Sequence, residues 1–536
     1  MRNIILIGLL VFSFSQLFAK GGELILQAKG YDSHVELRWE ASEKEGLSYQ
    51  IFARKQGSAS FELRGTTEEQ FYLDFLTDWG RNIAVDYQVV AVQGKKTRKS
   101  SPIVSAKIRD FTEEELLEMV QQYTFRYFWD FADPNTGLSY ERSNNSENKT
   151  VTIGGSGFGV MAVIVGAERG WISREQAVDR LLQATEFLED CPRFKGMWAH
   201  WYMAETGQVC EFGKMDNGGD IVESSFMAQG LLTARQYFNQ NNTRETQLRA
   251  RITKLWEEMD WEFYTNDTEG LIWHWSPEHG FTKNHVIRGY NECLITYILA
   301  ACSPTHAIPA AYYHKSWAGW DNETFANYEE YYGMTLPLGT KRWKGGPLFF
   351  AHYSYLGLDP RGLADKYANY WEQNRRHTLI NRAYCMDNPY GYKGYGADLW
   401  GLTASDKVPK GYNAHAPGFL RDNGTIAPTA ALSSMPYTPA ESMQVLKNLY
   451  RNFGRDTFGP YGFYDAVNPS LKEKEGVWVR QNYIGIDQGP ILLMIENHRS
   501  GLLWRYFMQD PDVLKGLNKL GFQRHGQEIE IKEWVN

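Results

Sequence analysis

The stretch Met215–Gly230 reads M-D-N-G-G-D-I-V-E-S-S-F-M-A-Q-G. It sets three carboxylates, Asp216, Asp220 and Glu223, within eight residues. Gly218 and Gly219 allow a tight backbone turn between the first two. Ile221, Val222, Phe226, Leu231 and Leu232 then recur at helical spacing, so a buried helix is predicted to start here. Its carboxylates would sit at the helix N-terminus, where the dipole favours negative charge. D-I-V-E also has the form of a capping box, with Asp220 as N-cap and Glu223 three residues on. Capping and catalysis are compatible. Clustered carboxylates repel, and one of them then holds its proton to higher pH, which gives a protein an acid and a base side by side.

Two further segments repeat the arrangement of loop, carboxylate and apolar helix. Gly289–Thr305 places Glu292 ahead of the run L-I-T-Y-I-L-A-A-C. A carboxyl with little water around it has a raised pKa, as a general acid needs. Tyr483–Pro490, Y-I-G-I-D-Q-G-P, places Asp487 ahead of I-L-L-M-I. For each the alternative is a helix-start residue that caps or answers the dipole. Convergence of three such helix starts on one cleft is more informative than any one of them.

Rings and donors accompany these helix starts in loops around Trp198–Tyr202, Trp273–Trp275, Lys341–Trp343 and Tyr390–Trp400. Flat apolar faces beside directional hydrogen-bond groups suit a sugar. Trp201, Trp273, Trp275, Arg342, Trp343, Tyr390 and Trp400 are the candidate substrate-binding residues, with core packing as the alternative for any single ring. His274, His279 and His285 have no recognised metal spacing. Asp133–Gly137 lacks most ligands of a calcium loop. Walker and G-x-S-x-G motifs are missing. Gly154–Gly159, G-G-S-G-F-G, follows no Rossmann strand and reads as a loop entering a helix. No metal or cofactor is expected.

Further out, the chain divides by texture. Residues 1–19 have a basic residue, a short apolar run and a small residue at Ala19, which predicts a signal peptide and a periplasmic or secreted protein. No later run is long enough to suggest membrane insertion. Residues 22–108 alternate as short strands, V-E-L-R-W, Y-Q-I-F-A-R and D-Y-Q-V-V-A-V, separated by glycine turns. This predicts a β-sandwich, loosely like fibronectin type III through Trp39, Tyr49 and Tyr87. From Thr112 about twelve helices are predicted. They include Ser156–Arg169, Ser173–Leu188, Glu223–Asn239, Pro347–Leu356, Leu363–His377 and Gln488–Glu496. That number suits six hairpins closed into a ring. The net charge of −8 argues against nucleic acid or anionic lipid as partners. The five cysteines match no disulfide or zinc framework, and a Cys191–Cys210 bridge is the one pairing considered.

From about Phe111 to Phe507 the chain resembles glycoside hydrolase family 144, bacterial β-1,2-glucanases with a glucoamylase-like domain. The stretches that carry the likeness are M-D-N-G-G-D-I-V-E, G-Y-N-E-C-L-I-T-Y-I-L-A-A-C-S-P-T-H, G-P-L-F-F-A-H-Y-S, W-G-L-T-A-S-D, D-N-G-T-I-A-P-T-A-A-L-S-S-M-P, G-F-Y-D-A-V-N and I-D-Q-G-P. The resemblance implies a mainly α protein with an (α/α)6 barrel over residues 111–536. It also implies inverting hydrolysis of β-1,2-linked glucose and an acidic pocket of Asp216, Asp220, Glu223, Glu292 and Asp487. Glu292 is the expected acid, because its helix is the most apolar, and Asp487 the expected base. Asp216, Asp220 and Glu223 would position water and substrate or supply the base. Two other readings share these features: another glycosidase or a polysaccharide lyase on the same barrel, and a glycan-binding protein without chemistry.

Overall fold

A computed structural model describes residues 24–41, 46–144, 149–319, 321–472 and 476–530. The expected signal peptide, residues 1–19, lies outside the described residues. The chain forms two compact units, divided between Leu116 and Leu117.

The first unit is built from eight strands, β1 (Ile25–Gly30), β2 (His34–Glu40), β3 (Ser48–Lys55), β4 (Glu62–Thr67), β5 (Phe71–Phe75), β6 (Ala84–Gln93), β7 (Lys96–Ser100) and β8 (Val104–Lys107). One sheet has the order β1-β2-β5 and the other β4-β3-β6-β7, with β8 also on β6; all pairings are antiparallel. Alternation along the strands sends Val35, Leu37 and Trp39 of β2, Tyr49 and Ile51 of β3, and Tyr87 and Val89 of β6 into one shared core. Thr112 closes the unit as the cap of a helix. Its Oγ1 accepts the Glu115 N–H, and the Glu115 carboxylate accepts the Thr112 N–H in return.

The second unit is mainly helical. Its helices are α1 (Glu113–Trp129, begun in the first unit), α2 (Ile153–Glu168), α3 (Arg174–Asp190), α4 (Ile221–Tyr237), α5 (Thr243–Glu257), α6 (Leu294–Cys302), α7 (Ala310–Tyr312), α8 (Tyr370–Asp387), α9 (Pro428–Leu432), α10 (Pro439–Arg451), α11 (Gly454–Thr457), α12 (Gly485–Arg499), α13 (Leu502–Phe507) and α14 (Pro511–Lys519). The glycine-rich stretch Gly154–Gly159, expected as a loop entering a helix from Ser156, is helical throughout. It forms the first turns of α2 and is wholly buried. The reason is backbone contact: a Cβ on Gly157 would lie 2.4 Å from the Phe226 carbonyl oxygen, and one on Gly230 would lie 2.2 Å from the Gly157 carbonyl oxygen. Glycine therefore lets α2 and α4 touch main chain to main chain, and α12 packs on α2 as well.

Two predicted helices differ. Pro347–Leu356 is two short 3-10 turns, Leu348–Ala351 and Tyr353–Tyr355. Leu363–His377 becomes helical only at Tyr370, where Asn369 caps by accepting the Glu372 N–H. Before it, Asp365 turns the chain by accepting the N–H groups of Tyr367 and Ala368. All five cysteines are free thiols.

Candidate active site

Helices α2, α4 and α12, and the segment ahead of α6, bring their N-terminal ends to one cavity of about 540 Å³. Thr152 precedes α2, Val222 and Glu223 open α4, Glu292 precedes α6, and Ile484 and Ile486 flank the start of α12. The walls also include Glu141, Arg142, His200, Trp201, Phe212, Trp273, Phe349, Tyr353 and Tyr412. A depression of similar volume on α5, from Thr246 to Glu258, has no aromatic wall and no such convergence.

Of the five predicted acidic residues, Glu223 and Glu292 line this cavity, and the other three stand behind its wall. Asp220 caps α4: its Oδ1 accepts the N–H groups of Val222 and Glu223. The capping box does not close, because the Glu223 side chain turns away to accept the Gly154 N–H at 2.8 Å. That bond puts the carboxylate at the positive end of α2. A Cβ on Gly154 would stand 2.4 Å from Glu223 Oε2, so glycine permits the approach.

Asp220 Oδ2 meets His200 Nδ1 at 3.0 Å, Trp273 Nε1 at 3.2 Å and His274 Nε2 at 3.3 Å. Asp216 Oδ2 meets His274 Nε2 at 3.1 Å and Lys283 Nζ at 2.9 Å. Clustering alone would raise a carboxyl pKa here. Burial does oppose charge on Asp216 and Asp220, but the cations outweigh it and both pKa values are lowered. Burial likewise opposes charge on His200, yet Glu223 and Asp220 lift it to about 9. Glu223, buried and close to Asp220, is raised despite His200. Asp216, Asp220 and His274 are close enough together to hold a metal ion. Their facing atoms are already engaged with Lys283, His200 and Trp273 protons, which a cation would have to displace.

Glu292 does not cap α6. Cys293 is the N-cap residue, and Asn291 Oδ1 accepts its N–H. Burial of the Glu292 carboxyl lifts its pKa to about 7, with Glu223 and Asp220 adding repulsion. Asp487 lies in the first turn of α12 and does not cap it either, since the N-cap is Ile484. It is 1% exposed. Its carboxylate accepts the Tyr412 hydroxyl at 3.0 Å and the Tyr353 hydroxyl at 3.2 Å, and both tyrosines face the cavity. Burial lifts Asp487 to about 7 against these donors.

Among the predicted sugar contacts, Trp201 and Trp273 line the cavity. The others do not. Trp275 packs on Phe194 and Phe263 while its backbone pairs with Gly219. Arg342 and Trp343 lie with Arg421, whose guanidinium is 4.6 Å from the Trp343 ring centre. Tyr390 is exposed beside Tyr392, and Trp400 is fully buried in the core. A loop dense in rings fixes no direction for any one ring, and here packing claims most of them. Residues that local reading passed over include Phe212, stacked on His200 at 4.0 Å, and Tyr353, Tyr412 and Asp465. Tyr353 and Asp465 stand within quoted motif stretches but have no local signal of chemistry.

An exo β-1,2-glucooligosaccharide sophorohydrolase (non-reducing end) of Parabacteroides distasonis is 43% identical over 535 residues, covering 96% of this chain and 73% of that protein. The chain belongs to glycoside hydrolase family 144. The solved β-1,2-glucanase of Parabacteroides distasonis superimposes with a TM-score of 0.85 at 42% identity, over 93% of this chain and 73% of that one. The endo-β-1,2-glucanase of Chitinophaga pinensis, solved with sophorotriose and glucose, gives 0.73 at 52% identity, over 77% of this chain and 99% of that one. The Glycoamylase family model, for glucoamylases, matches residues 284–511. That span holds Glu292, Tyr353, Tyr412 and Asp487, and it leaves the 216–223 cluster outside.

Proposed function

We propose that this family 144 chain hydrolyses β-1,2-glucosidic bonds of glucans or their oligosaccharides with inversion of configuration, Glu292 acting as acid and Asp487 as base. The observation that carries the reading is the pairing of a protonatable Glu292, facing an aromatic cavity, with a carboxyl reached from the same cavity through two tyrosine hydroxyls. Glu292 gives its proton to the glycosidic oxygen as the C1–O bond breaks. A water attacks C1 from the opposite face. Its proton passes to Asp487 as the Tyr412 or Tyr353 hydroxyl hands its own on and takes the water's. Trp201, Trp273 and Phe212 offer ring faces to the sugar. Glu223, held by the α2 N-terminus and His200, is suited to bind hydroxyls.

The sheets β1-β2-β5 and β4-β3-β6-β7 support a fibronectin type III-like sandwich for the first unit. A closed ring of contacts supports the (α/α)6 barrel. It runs from α2 to α4, α6, the 3-10 turn Tyr353–Tyr355, then α9 through the His352–Ser434 bond, then α12 and back to α2. The composition of residues 1–19 supports export to the periplasm or beyond.

The relatives include both an exo- and an endo-acting enzyme, so the test reads products as well as rate. Linear β-1,2-glucan should give a first product with the α anomeric configuration by proton NMR, and the product ladder reports the cutting position. Glu292→Gln and Asp487→Asn should each lose about 100- to 10,000-fold in rate with an unchanged melting temperature. A β-anomeric first product, an unsaturated sugar absorbing in the ultraviolet, or near-parental turnover in either variant would sink this mechanism.

A further inference from the structure

Asp465 is a buried carboxyl for which the reaction above has no use. It is 2% exposed. Its Oδ2 accepts the Asp406 N–H at 2.6 Å, while Oδ1 receives no donor. Asp406 pairs with Tyr412 across the hairpin Ala404–Asp406 and Tyr412–Ala414. The Tyr412 hydroxyl reaches Asp487, and Gln488 bonds the Phe463 carbonyl, so the Asp465 and Asp487 carboxyls are neighbours and interact as a hydrogen-bonded pair. Two buried carboxyls in contact do not both ionise, so one proton bridges them. The surroundings decide where it sits. Asp487 takes hydroxyls from Tyr353 and Tyr412, which stabilise its charge. Asp465 has one backbone N–H and one bare oxygen, which an O–H bond would satisfy.

We propose that Asp465 carries this proton on Oδ1 and donates it to Asp487, a positioning role that keeps the base ionised and oriented. The proposal rests on the reading of Asp487 as base. The bridging proton stays on Asp465 throughout turnover, and the proton taken from water is the second one the pair holds.

The groups around the pair agree. On the hairpin side, Asp406 is a second anion next to Asp465. The cations near it are engaged elsewhere: Arg142 Nη1 is 3.2 Å from Asp406 and its Nε 2.7 Å from Glu141, and Arg480 is 3.6 Å from Asp406. Asn482 donates to Asp406 as well. From α9, Thr429 donates to the Asp487 backbone oxygen, and on α12 Gln488 donates to the Phe463 carbonyl. Both are neutral. Burial, then the Asp487 and Asp406 charges, hold Asp465 well above the usual carboxylate range.

The test compares two substitutions in the full chain. Asp465→Asn keeps the shape, accepts the Asp406 N–H and still donates to Asp487. Asp465→Leu cannot donate. A hydrogen bond to a charged group corresponds to roughly one to two pKa units. The acid limb of kcat/KM on β-1,2-glucan should therefore rise by about that much in the Leu variant and stay near the parent's in the Asn variant. Infrared difference spectra at neutral pH should show a protonated-carboxyl C=O band in the parent that Asp465→Asn removes and Glu292→Gln does not. That band decides the matter should the Leu variant fail to fold. A band unchanged in Asp465→Asn, a parental acid limb in the Leu variant, or a folded Asn variant as inactive as Asp487→Asn would overturn the proposal. An active Asp487→Asn enzyme would instead overturn the choice of base, leaving the bridging proton to the infrared result.

Discussion

Glu292 and Asp487 both reach a pKa of about 7, but their surroundings differ. Glu292 is raised by burial and by two carboxylates, so its acid form is favoured. Asp487 is raised by burial against hydroxyl donors that favour its charge. The acid must be protonated, so activity falls as pH rises through the Glu292 value. The base must be ionised, so activity falls as pH drops through the Asp487 value. A narrow bell in kcat/KM centred near pH 7 is expected. A substrate with a good leaving group needs less protonation, and its profile should keep the acid limb while the alkaline limb weakens. A profile flat between pH 5 and pH 9, on the order of two units either side of neutrality, would contradict both assignments. Glu292 was legible in the sequence because a lone carboxylate ahead of an apolar run already implies desolvation. The lowered pKa values of Asp216 and Asp220 were not. They depend on His200, His274 and Lys283, brought in by strand pairing and loops that no local pattern specifies.

At the scale of elements, the sequence pattern located helices by their apolar spacing and misjudged the glycines. Gly154–Gly159 reads as a loop entering a helix predicted from Ser156, whereas α2 already begins at Ile153. The reason for glycine there is tertiary: α2 and α4 approach so closely that Cβ atoms do not fit at Gly157 or Gly230. The 3-10 turns at Leu348–Tyr355 were missed for a related reason, since one apolar face serves either geometry. A clear contrast follows. Gly230→Ala gains helix propensity of about 1 kcal/mol, but pushes a methyl into the Gly157 backbone, an overpacking cost of roughly 1–3 kcal/mol or more. The melting temperature should fall. Gly213→Ala, where a Cβ meets nothing within 4 Å, should melt near the parent. A Gly230→Ala protein that melts at or above the parent would mean that α2 and α4 do not touch as described. Because the first turn of α4 carries Glu223, the same variant should also raise KM.

For the whole molecule, the question is whether the chemistry needs the β unit. The aromatic cavity and all five acidic residues belong to the unit that begins at Leu117, as do Tyr353, Tyr412 and Asp465. The alternating strands of the first unit were readable because its two-residue period is strong, whereas no cluster of chemistry-bearing residues was readable there. A chain begun at Arg109 keeps Thr112 and so keeps the cap that starts α1. Arg109 also retains its partner Glu115. The shortened chain starts a few residues ahead of α1, and its melting temperature is read alongside its rate. Its kcat on short β-1,2-gluco-oligosaccharides should stay within about tenfold of the parent's, because no catalytic group has been lost. Circular dichroism separates loss of fold from loss of rate. A shortened chain with native helical signal and no turnover would show that the β unit supplies part of the site, and the assignment of the whole reaction to residues after Leu117 would then be wrong. Native signal and turnover with a KM raised only for long glucans would assign the β unit to holding polymer away from the cavity.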